Sequence, residues 1–410
     1  MPSLNLAAAI ILASLLMSCA NSNPYYDAAK PHHRQDGFQN NYLEFTPKSF
    51  GELIRWRYAA WRDDLPKPPQ TAPATVAPDL AFVSANAAAG MQMVPAVTFI
   101  GHASVLAQQG GLNVLLDPVF SERASPLSFV GPRRFQPPGL SLAQLPHIDL
   151  VLVSHNHYDH LDAPSVDALN RQAGGPPLFI VPLGIKPWLG ERSITNAVEL
   201  DWWQSHTLAG PKGPTQITFT PAQHWSSRTP TDRMKTLWGG FAVLSPDFHL
   251  FYSGDTGYSR DFSDIKARLA DKQTASLGGG FDLALLPVGA YEPRWFMTSQ
   301  HVNPTEAVQI HRDLGAKQSM GVHWGTFQLT DESLDTPIKD LAVASQAKGL
   351  AAGEFFVLAI GETRRLAPRS GSPADLPVDH ATTASPASSA GSTSPGSTDA
   401  QPAPVAVRAP

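Results

Sequence analysis

The sequence predicts an α/β protein built from two sheets packed face to face, with helices outside. Short apolar runs joined by tight turns come first, as in hairpins, and later runs alternate with segments of helical period. Histidines and aspartates collect at the polar ends of these runs, where strands hand over to loops and reacting groups gather.

Taken in order, residues 4–16 are leucine, isoleucine and alanine, interrupted only by Asn5 and Ser14. The stretch is too short to span a bilayer, and it closes on Leu16, Met17, Ser18 and Cys19 in the manner of a lipoprotein signal. Cys19 is the sole cysteine, so no disulfide forms within the chain, and its position fits a lipid anchor. Ala20 follows it and is not acidic, which by analogy with bacterial sorting points to an outer-membrane lipoprotein of the cell envelope, facing the periplasm. Residues 21–46 show no clear period and read as an extended lead-in, with His32 and His33 solvated.

Ser49, Phe50, Gly51 and Glu52 form a capping box. The helix it opens places Phe50, Leu53, Ile54, Tyr58 and Trp61 on one face. That face is expected to pack on the main domain; the alternative lays it at a membrane interface. Residues 66–78 break the pattern as a Pro-rich linker.

Strands are expected over 97–100, 104–107 and 112–117, with Gly110 and Gly111 as a turn. Further strands are expected over 148–153, 178–181, 216–220, 241–244, 250–252, 283–287, 320–323 and 355–360. Helices are expected over 165–171, 305–314 and 338–347. The domains are then a lipoprotein-type signal peptide over 1–19, an N-terminal extension over 20–95, the main domain over 96–366 and a tail over 367–410. The tail, mostly Ala, Pro, Ser and Thr, is expected to be disordered.

At 410 residues, with 42% hydrophobic and 16% charged, the chain can bury a sizeable core. A net charge of −5 without any Lys/Arg cluster disfavours nucleic acid as a partner. The chemistry concentrates in residues 154–162, SHNHYDHLD. Alternate side chains of an extended segment share a face, so His155 and His157 can reach one cation while Asp159 and His160 reach a second. His224, Asp255 and His323 stand at later strand ends.

The order HxHxDH, a His after a strand, GDTG and a late His resembles the metallo-β-lactamase fold hydrolases, whose αββα sandwich holds two metals at one edge of the sheets. Tyr291 to Met297 (YEPRWFM), Gln300 to Pro304 (QHVNP) and His323 to Phe327 (HWGTF) narrow the resemblance. With Gly101-His102-Ala103, Arg123 to Pro126 and Gln223-His224-Trp225, they look like the N-acyl-phosphatidylethanolamine-hydrolysing phospholipase D branch, over about 98–348.

The resemblance implies that His155, His157 and His224 bind one metal, that Asp159, His160 and His323 bind the other, and that Asp255 bridges them. A donor set dominated by His suits two zinc ions better than magnesium or calcium, with iron or manganese as the alternatives. Such a pair clamps the attacking and leaving oxygens of an in-line displacement at phosphorus. Asp255 and His301 are then the catalytic candidates, with Tyr158, Gln300 and Trp295 assigned to substrate, while His102 is expected to support the ligand loops. Trp202 and Trp203 fit either an acyl groove or the core.

The expected activity is that of a binuclear zinc phosphodiesterase, converting N-acyl-phosphatidylethanolamine or a related phospholipid to phosphatidic acid and N-acylethanolamine. The expected partners are this phospholipid and a membrane surface reached through the lipid anchor; the oligomeric state, a homodimer included, is left open. Two competing readings are a hydrolase of another ester, lactone or small phosphodiester on the same scaffold, and a non-catalytic metal-binding envelope lipoprotein.

Overall fold

The computed structural model describes residues 22–44, 46–274 and 278–369. The expectations for the signal, Cys19 and most of the tail lie outside these residues. The N-terminal part carries a small hairpin, β1 (His33–Arg34) and β2 (Gly37–Phe38), and two helices, α1 (Phe50–Arg62) and α2 (Leu80–Ala88).

The first large sheet collects β3 (Ala96–Gly101), β4 (Ser104–Gln109), β5 (Leu112–Leu116), β6 (Leu150–Leu152), β7 (Leu178–Pro182) and β8 (Ala197–Leu200). Helices α3 (Ala163–Asn170) and α4 (Lys186–Glu191) belong to its crossovers. β9 (Ser205–Gly210), β10 (Gly213–Thr220), β11 (Gly240–Ser245), β12 (Phe248–Tyr252), β13 (Leu283–Pro287), β14 (Gln318–Val322) and β15 (Phe355–Phe356) form the second sheet. With it run α5 (Asp261–Arg268), α6 (Arg294–Met297), α7 (Pro304–Leu314) and α8 (Thr336–Ala347). The last strand, β16 (Thr363–Arg365), returns to the first sheet and pairs antiparallel with β3, Thr363 opposite Thr98. Each sheet is mixed: β3 to β5 and β9 to β12 run as antiparallel meanders, whereas β5 to β8 and β12 to β15 are parallel.

The period of two in a strand explains why the first sheet reads as continuous apolar runs. Val114, Leu116, Leu150 and Leu152 face the large core shared with Phe219, Phe241 and Phe251. Their neighbours Leu115 and Val151 point the other way, into a second cluster with Val83 of α2, Val166 of α3 and Leu189 of α4. Both faces are therefore dry, and each fully buried Phe or Leu contributes about 1.5–3 kcal/mol. α7 lies against β13, flanked by α5 and α8, and so covers the second sheet.

Three expectations change. The lead-in is folded: Phe38 is buried in the main core, and His32 and His33 are buried as well. Residues 74–76 are not a loose linker, because Ile360 pairs with them through both its N–H and its C=O. That pairing also explains why the strand expected over 355–360 stops at Phe356 as part of the second sheet. The third change concerns α1, whose capping box is present but whose buried residues are Trp56 and Ala60. Trp56 donates to Asp331 at 2.9 Å and stacks near Phe296, which sets the helix rotation and turns Phe50, Ile54, Tyr58 and Trp61 outward. Among the described residues no helix is long and apolar enough to cross a membrane.

Candidate metal centre

The expected ligands gather at one edge of the sandwich because they follow the C-terminal ends of strands. Residues 154–160 follow β6, His224 follows β10, Asp255 follows β12 and His323 follows β14. His323 takes a left-handed φ of 62°, unusual for a residue with a Cβ, which the surrounding loops hold in place.

His155, His157 and His224 converge, with His155 Nε2 at 2.8 Å and His224 Nε2 at 3.3 Å from His157 Nδ1. Asp159, His160 and His323 form a second group, the two imidazoles 3.6 and 3.4 Å from the Asp159 carboxylate. Asp255 stands between them: its Oδ2 is 3.1 Å from His160, 3.2 Å from His323, 3.9 Å from His224 and 4.0 Å from His155. His301 Nδ1 lies 3.9 Å from the same oxygen. Despite this crowding, Asp255 Oδ1, His160 Nε2, His301 Nδ1 and His323 Nε2 are buried without a hydrogen-bond partner. Buried polar atoms left orphaned together are costly unless a ligand satisfies them, so this donor set fits divalent cations.

The Nδ1 atoms of His155, His160 and His224, turned away from this centre, are anchored. Asp117, fully buried just past β5, accepts from the Ser154 backbone N–H and hydroxyl and from the Tyr252 hydroxyl, and pairs with His160 Nδ1 at 2.6 Å. Ser154 Oγ in turn contacts His155 Nδ1 at 2.9 Å, and the Gln300 carbonyl takes His224 Nδ1 at 2.8 Å. His102 sits behind Asp159, Nε2 to carboxylate 3.0 Å. Such partners fix ring orientation and tautomer.

Burial holds His155 well below the ordinary imidazole range and brings His157 to about 3 and His224 to about 4, which keeps these rings in the neutral form that ligates metal. At His160 and His323 burial acts the same way, but Asp255 and Asp159 outweigh it, raising His323 to about 9 and His160 well above its usual value. Burial also works against ionised Asp159 and Asp255, yet His160 beside them keeps both carboxyls far below the carboxylate range.

A sequence profile for the beta-lactamase superfamily domain matches residues 112–324, more than half of the chain. The chain belongs to this superfamily. It is a metallo-β-lactamase fold hydrolase, and its residues form candidate His/Asp metal sites. It is 38% identical over 273 residues to N-acyl-phosphatidylethanolamine-hydrolyzing phospholipase D 1 of Caenorhabditis elegans, covering 65% of this chain and 74% of that one. The mitochondrial N-acyl-phosphatidylethanolamine-hydrolyzing phospholipase D of Saccharomyces cerevisiae is 37% identical over 62% of this chain, which spans 52% of the yeast protein. Among solved structures, an isothiocyanate hydrolase from Delia radicum gut bacteria shares the fold at a TM-score of 0.52 and 18% identity, covering 66% of this chain and 99% of that one.

The hydrolase places the residues assigned to substrate in three different settings. Trp295 is exposed on α6, with the Arg55 guanidinium 4.9 Å from its ring. Tyr158 lines a cavity of about 440 Å³ together with Arg123, Arg192 and Arg228. Gln300 is buried, and its carbonyl orients His224. Trp202 belongs to the core, and Trp203 packs against it. The ligand pattern HxHxDH drew attention away from Asp117, although an aspartate directly after an apolar run was its visible signal. Arg228 also went unnoticed: it donates to the carbonyls of Asn156 and Leu161 and so braces the histidine-rich loop from both ends.

Proposed function

We propose that this hydrolase is a binuclear zinc phosphodiesterase acting on N-acyl-phosphatidylethanolamine or a closely related phospholipid. The observation that carries the reading is the joining of two features. His and Asp side chains with buried, unpartnered polar atoms form the cluster, His301 on the C-terminal side of α6 among them, and α1, which exposes Phe50, Ile54, Tyr58 and Trp61, docks on α6. α1 docks through Trp56 on Phe296 of α6, and the chain leaves α6 directly into His301. The two phospholipase D relatives point to the same substrate.

His155, His157 and His224 would hold one zinc and Asp159, His160 and His323 the other, with Asp255 shared. When bound, the pair supplies Lewis acidity at the phosphoryl group and makes water a competent nucleophile at neutral pH. Asp255 keeps its carboxylate charged and is placed to accept the proton of the attacking water. His301, held neutral by burial and with its Nδ1 unpartnered, offers a ring N–H to the phosphoryl or leaving oxygen. The Arg294 guanidinium fixes that residue by donating to the His301 carbonyl at 2.8 Å. Water adds at phosphorus, the bond to the ethanolamine oxygen breaks, the proton given up by the water passes to that oxygen, and the products are phosphatidic acid and an N-acylethanolamine.

The test is a parallel assay of zinc-loaded protein on N-acyl-phosphatidylethanolamine vesicles, an acyl-homoserine lactone, a β-lactam and a nitrophenyl phosphodiester. Release of N-acylethanolamine at the highest kcat/KM is expected, and turnover of the lactone alone would overturn the lipid reading. We further propose that Cys19 carries lipid and tethers the enzyme to the outer membrane, facing the periplasm.

A further inference from the structure

Residues 22–44 form a strap laid over the enzyme, and most of it lies far from any chemistry. Its first anchor is Asp201, which is buried and accepts from Lys30 Nζ at 2.6 Å and from the Trp202 backbone N–H at 2.7 Å. His32 Nε2 and His33 Nε2 meet the same carboxylate at 2.7 and 3.0 Å, and the His32 ring stacks on Trp202. Two histidines and an aspartate invite comparison with the metal centre, but the electrostatics differ. An ammonium already occupies this carboxylate, and none of these polar atoms is among the buried ones lacking a partner. The cluster is a satisfied latch. Phe38 then enters the main core, and its N–H donates to the Met234 carbonyl at 2.9 Å.

Past the latch the strap reaches a metal-site histidine. Asn40, buried, accepts the His224 backbone N–H through Oδ1 at 3.0 Å and donates from Nδ2 to the His224 carbonyl at 3.0 Å. The same Oδ1 accepts from Trp238 Nε1 at 3.0 Å, which fixes the amide's orientation. Next door, Gln223 donates to the Leu43 carbonyl at 3.1 Å. His224 lies beyond the end of β10, one residue past the isolated bridge between Gln223 and Gly257, and no strand pairs with His224 itself. Asn40 substitutes for one, engaging both polar groups of that residue as a neighbouring strand would. The Gln300 carbonyl orients the ring and Asn40 sets the backbone, so together they place Nε2.

We propose that the strap is a positioning device for His224, with Asn40 as its working residue, and that it sets the affinity of the cation His224 helps to hold. The proposal rests on the reading of His224 as a metal ligand. Residues 22–44 lie outside the segment matched by the superfamily profile. Asn40 touches no reacting atom; its effect passes through the His224 backbone.

The experiment compares zinc binding by full-length wild type, Asn40→Ala, Asn40→Asp and His224→Ala, using chelator competition and elemental analysis, with circular dichroism for fold. Asn40→Ala is expected to weaken one zinc about 10- to 100-fold and leave the other at its wild-type affinity, the usual scale for loss of a partner that orients a ligand. Asn40→Asp keeps the acceptor for the two N–H groups and loses the donor to the carbonyl, so a smaller loss at the same zinc is expected. It decides the matter if Asn40→Ala does not fold. Wild-type affinity in both Asn40 variants, or equal weakening of both zincs, would overturn the proposal, provided His224→Ala loses one zinc. Two tightly bound zincs in His224→Ala would instead overturn the ligand reading beneath it.

Discussion

At the scale of single residues, the site separates groups that meet the cations from groups that hold them there. Asp255 and His301 share a 3.9 Å contact but differ in consequence. Asp255→Asn keeps the shape and removes the charge facing five imidazoles, so zinc content and turnover should fall together. His301→Ala should retain both zincs and lose about 10²–10³ in kcat, as expected of a lost donor to a developing charge. Elemental analysis beside steady-state kinetics checks the pair, and a His301→Ala protein depleted of zinc would make that residue structural. Legibility at this scale followed chemistry. Seven ligand candidates stand out because His and Asp recur at strand ends, whereas Asp117 and Asn40 act through backbone and tautomer, which residue type does not reveal.

Among the elements, α1 shows where periodicity stops being informative. Its sequence identifies the helix and the capping box, and the structure has both. Rotation is another matter, because two candidate faces competed and a single indole decided. The Trp56 hydrogen bond to Asp331 and its contact with Phe296 outweighed the larger aromatic stripe, leaving Phe50 77% and Trp61 76% exposed. An exposed stripe of this kind, with Lys48, Arg55 and Arg57 nearby, suits the headgroup boundary of a bilayer. Replacing Phe50, Ile54 and Trp61 with Ser should lower activity on phospholipid vesicles about tenfold and leave hydrolysis of a soluble phosphodiester unchanged. Vesicle co-sedimentation beside both assays reads this, and equal losses on the two substrates would contradict it. β9 escaped notice for a different reason: it is an edge strand, half-exposed throughout, and carries no apolar run.

Across the whole molecule, the layers were legible because both faces of the first sheet are buried and its central strands are mostly apolar. The strap, the Ile360 pairing with residues 74–76 and the return of β16 were not, since each joins segments remote in sequence. If Cys19 tethers the enzyme, Cys19→Ser should abolish labelling by radioactive palmitate and move the protein from the membrane fraction to the soluble one; unchanged labelling would exclude the anchor. The return of β16 has a consequence in time. During synthesis β3 emerges early, but its outer partner is among the last segments of the sandwich to appear. Until then β3 lacks the partner on its outer edge. A growing chain in that condition completes its first sheet only after every ligand candidate of the centre, His323 included, has been made.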